Sequence, residues 1–320
     1  MSRGIDKKKS GRGKLILKDI RQNYALLLLA LPGLILLAAF NYLPLSGILI
    51  AFKNYTFQGG IIGSAWADPW YKNFRFFFNN FDTAIRSVRN TIMLNLLIFL
   101  TNSCVAISIA IMLTNIKRKW YVKITQSFMF FPYFVSWTVM GAILNTAIVK
   151  VDGGIINKVV TAFGLSPIKF FDNPWYWVPI LVFSLCWHQS GYSSIVYYGV
   201  LTGVDPSYYE AATVDGASKW QQIIHISLPM IKPTFIILFL LAVGGMLKGN
   251  LSMIMGLTNL NPLLLEVTDV VDVFVYRSSI YSGEMALGSA ISLFQSVFGF
   301  ALVMISNALV KKANRELALF

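Results

Sequence analysis

The sequence predicts an all-α polytopic membrane protein with six transmembrane helices and a two-helix loop between the fourth and fifth. Three observations carry that prediction. Across 320 residues, 56% are hydrophobic against 13% charged and the mean hydropathy is +0.63, outside the range of soluble domains. Several apolar stretches are long enough to cross ~30 Å of hydrocarbon. All 14 Asp and Glu residues lie outside those stretches.

The spans are expected at about 24–50, 90–113, 124–148, 178–201, 233–257 and 285–310. The first, Tyr24 to Ile50, is too long for a signal-peptide core and lacks a small-residue cleavage site. Its Pro32 and Gly33 suit a retained membrane helix. Eight of the 27 Lys and Arg residues precede it, from Arg3 to Arg21. A basic run in that place sets topology and attracts acidic lipid head groups, so the net charge of +13 points to membrane and not to nucleic acid. Residues 1–13, rich in Lys, Gly and Ser, have a composition that resists folding.

The remaining cations orient the chain. The N-terminal tail, the 114–123 loop, the 202–232 loop and the tail after 310 hold 17 Lys and Arg together, and the opposite set of loops holds nine. Both termini are therefore expected in the cytoplasm, with tails at 1–23 and 311–320 flanking a membrane domain at 24–310. Outside, residues 53–89 mix cations with aromatics such as Trp66, Trp70, Phe76, Phe77 and Phe78, and are expected to lie at the bilayer surface and end in a short helix. Those aromatics suit a membrane-interface belt or contact with an external partner. Asp172-Asn173-Pro174 reads as a turn, followed by the aromatic anchor Trp175-Tyr176-Trp177.

Several chemistries are unsupported. Cys104 and Cys186 sit in apolar stretches as packing residues, and with His188 and His225 the only histidines, no metal site is expected. No Gly-x-x-x-x-Gly-Lys-Ser/Thr phosphate loop is present, so the chain itself is not expected to bind ATP. No paired acids or His-rich motif suggest a membrane enzyme.

The loop at 203–232 is the most informative segment. Asp205 is a suitable N-cap before Pro206, and Ser207 to Val214 forms two helical turns with Tyr208, Ala211 and Ala212 on one face. Gly216 breaks that helix. Ser218-Lys219-Trp220-Gln221 has capping-box spacing, which predicts a second short helix to about Ser227, ended by Leu228-Pro229. Two short helices with small residues outermost make a rigid knob that a partner's cleft can enclose.

The order Tyr209-Glu210-Ala211-Ala212, then Asp215-Gly216, nine residues beginning with Ala217, then Ile226-Ser227-Leu228-Pro229 resembles the cytoplasmic coupling loop of type I ABC importer permeases. The likeness covers nearly the whole chain and is to the carbohydrate-uptake group related to the maltose permeases. Asn41-Tyr42-Leu43-Pro44 through Ala51-Phe52-Lys53-Asn54-Tyr55, and Asp269 through Arg277, resemble its oligosaccharide and polysaccharide-fragment subgroup. This resemblance implies a bacterial cytoplasmic-membrane permease subunit, itself non-catalytic. It pairs with a second similar permease, a cytoplasmic ATPase dimer that binds ATP and Mg, and an extracytoplasmic solute-binding protein. Tyr209, Glu210, Ala211, Ala212, Asp215, Gly216 and Ala217 would then dock the ATPase.

An oligosaccharide path needs aromatic faces and neutral hydrogen-bonding groups. Trp137 and Asn145 in span three, Trp187, His188, Tyr192, Ser193 and Tyr197 in span four, and Lys248 and Asn250 in span five are the candidates. Gln189, Tyr192, Ser193 and Tyr197 have spacings that let neighbours share a face, although the same residue types also serve helix packing. Lys248 departs from the neutral residue the resemblance leads one to expect. It reads either as a contact for an anionic sugar such as a uronate oligomer, or as a lysine that snorkels or pairs with the second permease. An ion-coupled secondary transporter of a small polar solute is the alternative, but it needs carboxylates inside its spans.

Overall fold

The computed structural model describes residues 22–75, 81–281 and 283–319. Most of the basic tail, and Phe76, Phe77 and Phe78, lie outside the described residues. The chain divides into two compact units, Met1–Asn73 and Phe74–Phe320.

In the first unit, α1 (Tyr24–Leu37) continues through a π turn and a 3-10 run, so that Tyr24–Phe52 forms one apolar helix of 29 residues, close to the expected span. The stretch after it, expected at the bilayer surface, folds in its described part into a small cap around Lys53. That buried ammonium donates to the carbonyls of Ile61 at 2.6 Å and Ile62 at 3.1 Å, and sits 5.0 Å from the centre of the Trp66 ring. Asn73 Nδ2 closes the cap by donating to Ala51 O and Lys53 O. Carbonyls and an aromatic face replace the water that a buried cation loses.

In the second unit, α2 (Phe81–Thr114) starts earlier than expected because the charged residues Asp82, Arg86 and Arg89 occupy its first turns without interrupting the helix. The expected third span is not continuous. Its first half, α3 (Lys119–Phe130), runs on to Phe134, and α4 (Trp137–Ile143) runs on to Ile148, with a bend of 92° between them. Pro132 stops the first half from continuing as an α-helix, and Ser136 starts the second by accepting the Val139 N–H at 3.3 Å.

The fourth span is a 26-residue helix, α5 (Trp177–Thr202), about 39 Å long at 1.5 Å per residue. It packs along α2 and also contacts α3. Among the described residues, four helices are long and apolar enough to cross a bilayer: Tyr24–Phe52, Phe81–Thr114, Lys219–Gly244 and Met285–Ala313. The bent pair makes up to five. Helix α5 falls outside that set because it carries Ser184, His188, Ser190 and Ser194, all buried against protein. A helix face buried against its neighbours has no need to be apolar.

After α5 come α6 (Pro206–Val214) and α7 (Lys219–Gln222). The stop expected at Leu228-Pro229 does not occur. A π turn at Ile223–Ser227 carries α7 directly into α8 (Leu228–Gly244), with Pro229 in its first turn. The π turn alters the bonding pattern just where the proline has no N–H to offer. The expected span at 233–257 also divides: α8 ends at Gly244, residues 245–250 are irregular, and α9 (Leu251–Thr258) follows. Lys248 therefore lies in a break between helices. The chain ends with α10 (Val271–Tyr276) and α11 (Met285–Ala313), the latter matching the sixth expected span.

Glycines let these helices approach. A Cβ at Gly141 would overlap the Gly256 carbonyl, and one at Gly256 would crowd the Trp137 backbone, so α4 and α9 meet almost backbone to backbone. Lipid tails are as apolar as leucine, so such close packing, not burial alone, holds membrane helices together. The largest buried cluster, including Leu144, Trp177, Leu181, Leu257 and Leu264, surrounds this contact.

Candidate functional site

Two places concentrate the candidate residues. The first is the 203–232 loop, whose turns are closed by specific hydrogen bonds. Asp205 caps α6 by accepting the Ser207 backbone N–H at 2.9 Å; hydrogen bonding from Ser207 holds its carboxyl below the usual carboxylate range. At the other end, Gly216 has φ +77°, its N–H donates to Thr213 O, and the Ala217 N–H donates to Ala212 O at 2.9 Å. Those two bonds are a Schellman motif, which requires the left-handed conformation that glycine adopts most cheaply. The capping box at Ser218 and Gln221 is formed from both sides.

Gln222 then ties the two helices together. It is buried, and its Nε2 donates to Thr213 Oγ1 at 2.9 Å while its Oε1 accepts from Lys219 Nζ at 3.1 Å. Tyr209 reaches across to Ser227 at 3.0 Å between hydroxyls. Glu210, Ala211, Asp215 and Gly216 are exposed, and Ala212 and Ala217 half-buried. The loop is therefore a pinned body with small and acidic groups outermost.

The second place is a cavity of about 600 Å³ lined by Asn95 and Asn102 of α2, Gln189 of α5, Lys248 and Asn250 of the break, and Asp272 of α10. Lys248 is exposed into it. Asn250 caps α9, its Oδ1 accepting the Met253 N–H at 3.0 Å. Asn102 Nδ2 donates to Ser193 Oγ at 3.0 Å, and its buried Oδ1 has no partner among the described residues.

The other expected residues are placed elsewhere. His188 stacks on Trp137 with ring centres 4.3 Å apart and lies 3.1 Å from the Val135 carbonyl, at the bend of the third span. Tyr192 stacks on Tyr133 at 4.9 Å. Trp187 is exposed on α5. Asn145 Nδ2 donates to Gly141 O and Leu257 O, joining α4 to α9. Tyr197 is fully buried among α2, α5 and α8 residues such as Ala106 and Ile231. Of the nine expected path residues, only Lys248 and Asn250 line the cavity directly, with Ser193 bonded to its wall.

Sequence reasoning missed Asn95, Asn102, Asp272 and Gln295. Their signal was available: amides inside apolar stretches mark interhelical contact, and Asn95 and Asn102 are seven residues apart on one helix face. It also missed Asp269, which is 0% exposed and held by Arg86 at 3.0 Å and Arg277 at 2.8 Å. That cluster ties the start of α2 to the segment before α11.

Residues 103–315 match the family described as "Binding-protein-dependent transport system inner membrane component". Over 97% of this chain and 94% of the relative, the sequence is 35% identical to the polygalacturonan/rhamnogalacturonan transport system permease protein YteP of Bacillus subtilis. It is 34% identical to Protein LplB of the same organism, over 96% of this chain and 95% of that one. Among solved structures, a chain of a bacterial ABC transporter that imports the acidic polysaccharide alginate superposes with a TM-score of 0.80 at 28% identity, covering 93% of this chain and 99% of that one. A similar match comes from an alginate transporter bound to a periplasmic protein carrying an alginate pentasaccharide.

Proposed function

Because the chain belongs to the family of inner membrane components of binding-protein-dependent transport systems, we propose that it is the permease subunit of an ATP-driven importer of acidic, uronate-rich oligosaccharides. The observation that carries the substrate class is the Lys248 ammonium, exposed in a cavity whose lining includes the amides of Asn95, Asn102, Gln189 and Asn250, with no ion pair to it among the described residues. A cation so placed offers a charge-assisted partner to a sugar carboxylate, and the amides suit its hydroxyls. The relatives named for polygalacturonan and alginate support the same class.

In this reading, α5 and the two broken spans complete six crossings, both termini face the cytoplasm, and the 203–232 loop meets an ATPase dimer that binds ATP and Mg. A second permease completes the path, and an extracytoplasmic binding protein delivers the sugar. The pinned loop supports coupling because a rigid body transmits displacement that a flexible one absorbs. ATPase closure would thus alternate the cavity between outward and inward access.

The test is uptake of oligogalacturonate by proteoliposomes containing both permeases, the ATPase and the binding protein. ATP-dependent accumulation that vanishes without the binding protein is the expected result. Accumulation driven by an ion gradient without ATP would overturn the proposal.

A further inference from the structure

The break at residues 245–250 is held by side chains from two other helices. From α2, Asn95 Nδ2 donates to Met246 O at 2.8 Å and to Lys248 O at 2.9 Å. From α11, Gln295 Nε2 donates to Leu247 O at 2.7 Å and to Asp272 Oδ1 at 2.7 Å. Asp272 in turn accepts a hydrogen bond from the Gly249 backbone. A chain leaving a helix exposes carbonyls without intrahelical partners. Here the consecutive carbonyls of 246, 247 and 248 are each met by an amide donor distant in sequence.

Two consequences follow. With its carbonyls fixed on both sides, the segment turns Leu247 inward, where it is 2% exposed, and Lys248 outward into the cavity. Gly249 has no room for a side chain, because a Cβ there would overlap the Val270 side chain. The Asp272 carboxylate also lines the cavity, within electrostatic reach of Lys248. It is occupied by Gln295 and Gly249 and forms no ion pair with the lysine among the described residues.

We infer that Asn95 and Gln295 are positioning residues for substrate selection, which pin the 246–248 carbonyls to direct Lys248 into the cavity and keep Asp272 from neutralising it. This rests on the reading of Lys248 as the group that meets the sugar carboxylate. Gln295 is not among the residues that line the cavity, so its effect needs no contact with the substrate. Removing Gln295 frees Asp272 to pair with Lys248, and the site then loses its preference for an acid while it can still pass a neutral sugar.

The experiment compares kcat/KM for uptake of trigalacturonate and of its methyl ester in the reconstituted importer. The same binding protein is used throughout, so its own preference cancels between variants. Lys248→Met is expected to remove the preference for the free acid. Gln295→Met is expected to lower the acid-to-ester ratio about tenfold or more, the strength of one charge-assisted hydrogen bond. Adding Asp272→Asn to Gln295→Met restores most of that ratio, because no competing carboxylate remains. Asn95→Leu lowers the ratio as well. If Gln295→Met does not assemble, Gln295→Asn, an amide too short to meet both Leu247 O and Asp272, carries the same comparison. Should Lys248→Met remove the preference while the amide variants slow both substrates equally, the inference fails and the reading of Lys248 stands. Should Lys248→Met keep the wild-type ratio, both fail.

Discussion

Lys248 shows how one residue's placement decides what it can do. Inside a continuous membrane helix it would need to snorkel or find a partner within the bilayer. In the break it faces a cavity of about 600 Å³ with its backbone held by Asn95. Its presence was legible because a cation in an apolar stretch stands out. The residues that direct it were not, since Asn95 and Gln295 are neutral and scarcely disturb a hydropathy profile. Two predictions belong at this scale. Asn145→Leu removes both donors that join Gly141 and Leu257, and should lower the unfolding free energy of the purified assembly by about 1–3 kcal/mol, read from its thermal midpoint. Asp269→Leu should cost about 3 kcal/mol in the same measurement, the low end for breaking a buried pair, because both arginines keep some access to solvent.

At the scale of elements, the sequence disclosed how segments begin more readily than how they bend. The Asp205 cap, the Gly216 turn and the Ser218 capping box were all legible, because each depends on local residue chemistry. The breaks at Val135–Ser136 and 245–250 were not, because apolar residues flank each on both sides and hydropathy carries no direction. Pro229 misled in the opposite sense: the π turn before it let the helix continue. Close packing of α4 on α9 makes Gly256→Val a sharp test. The added side chain meets the Trp137 backbone, and overpacking of about 1–3 kcal/mol should appear as a lower thermal midpoint with loss of transport. In the loop, Gln222→Leu leaves the outer surface intact but removes the tie between α6 and α7. It should reduce the stimulation of ATP hydrolysis by loaded binding protein while leaving membrane insertion unchanged. The Asp205 cap adds a pH sense: its depressed carboxyl pKa makes its contribution fully present above the unfolded value and lost as pH falls through the folded one.

For the whole molecule, composition established a membrane protein, and the order of motifs around Gly216 pointed to a transport subunit, which the family match at residues 103–315 bears out. The ion-coupled alternative is set aside by that membership, since the family is binding-protein-dependent. What no hydropathy profile could convey is that α5 buries its polar face against its neighbours while Phe183 and Trp187 stay exposed on another. Its Ser184, His188, Ser190 and Ser194 are tolerated because protein surrounds them. A helix that polar would be a poor span if lipid faced it on all sides. In the proposed function, a separate ATPase docks on the 203–232 loop and drives this subunit. The most direct measurement crosslinks native membranes, purifies the tagged chain in mild detergent, and identifies its companions for the wild type and for Gly216→Trp. At Gly216 a Cβ would meet open space, so the bulky side chain projects outward while the positive φ strains the turn by about 1–2 kcal/mol. The account predicts a second permease in both samples and an ATPase in the wild type alone. A wild-type sample that yields no ATPase, or a mutant that retains it undiminished, would contradict the claim.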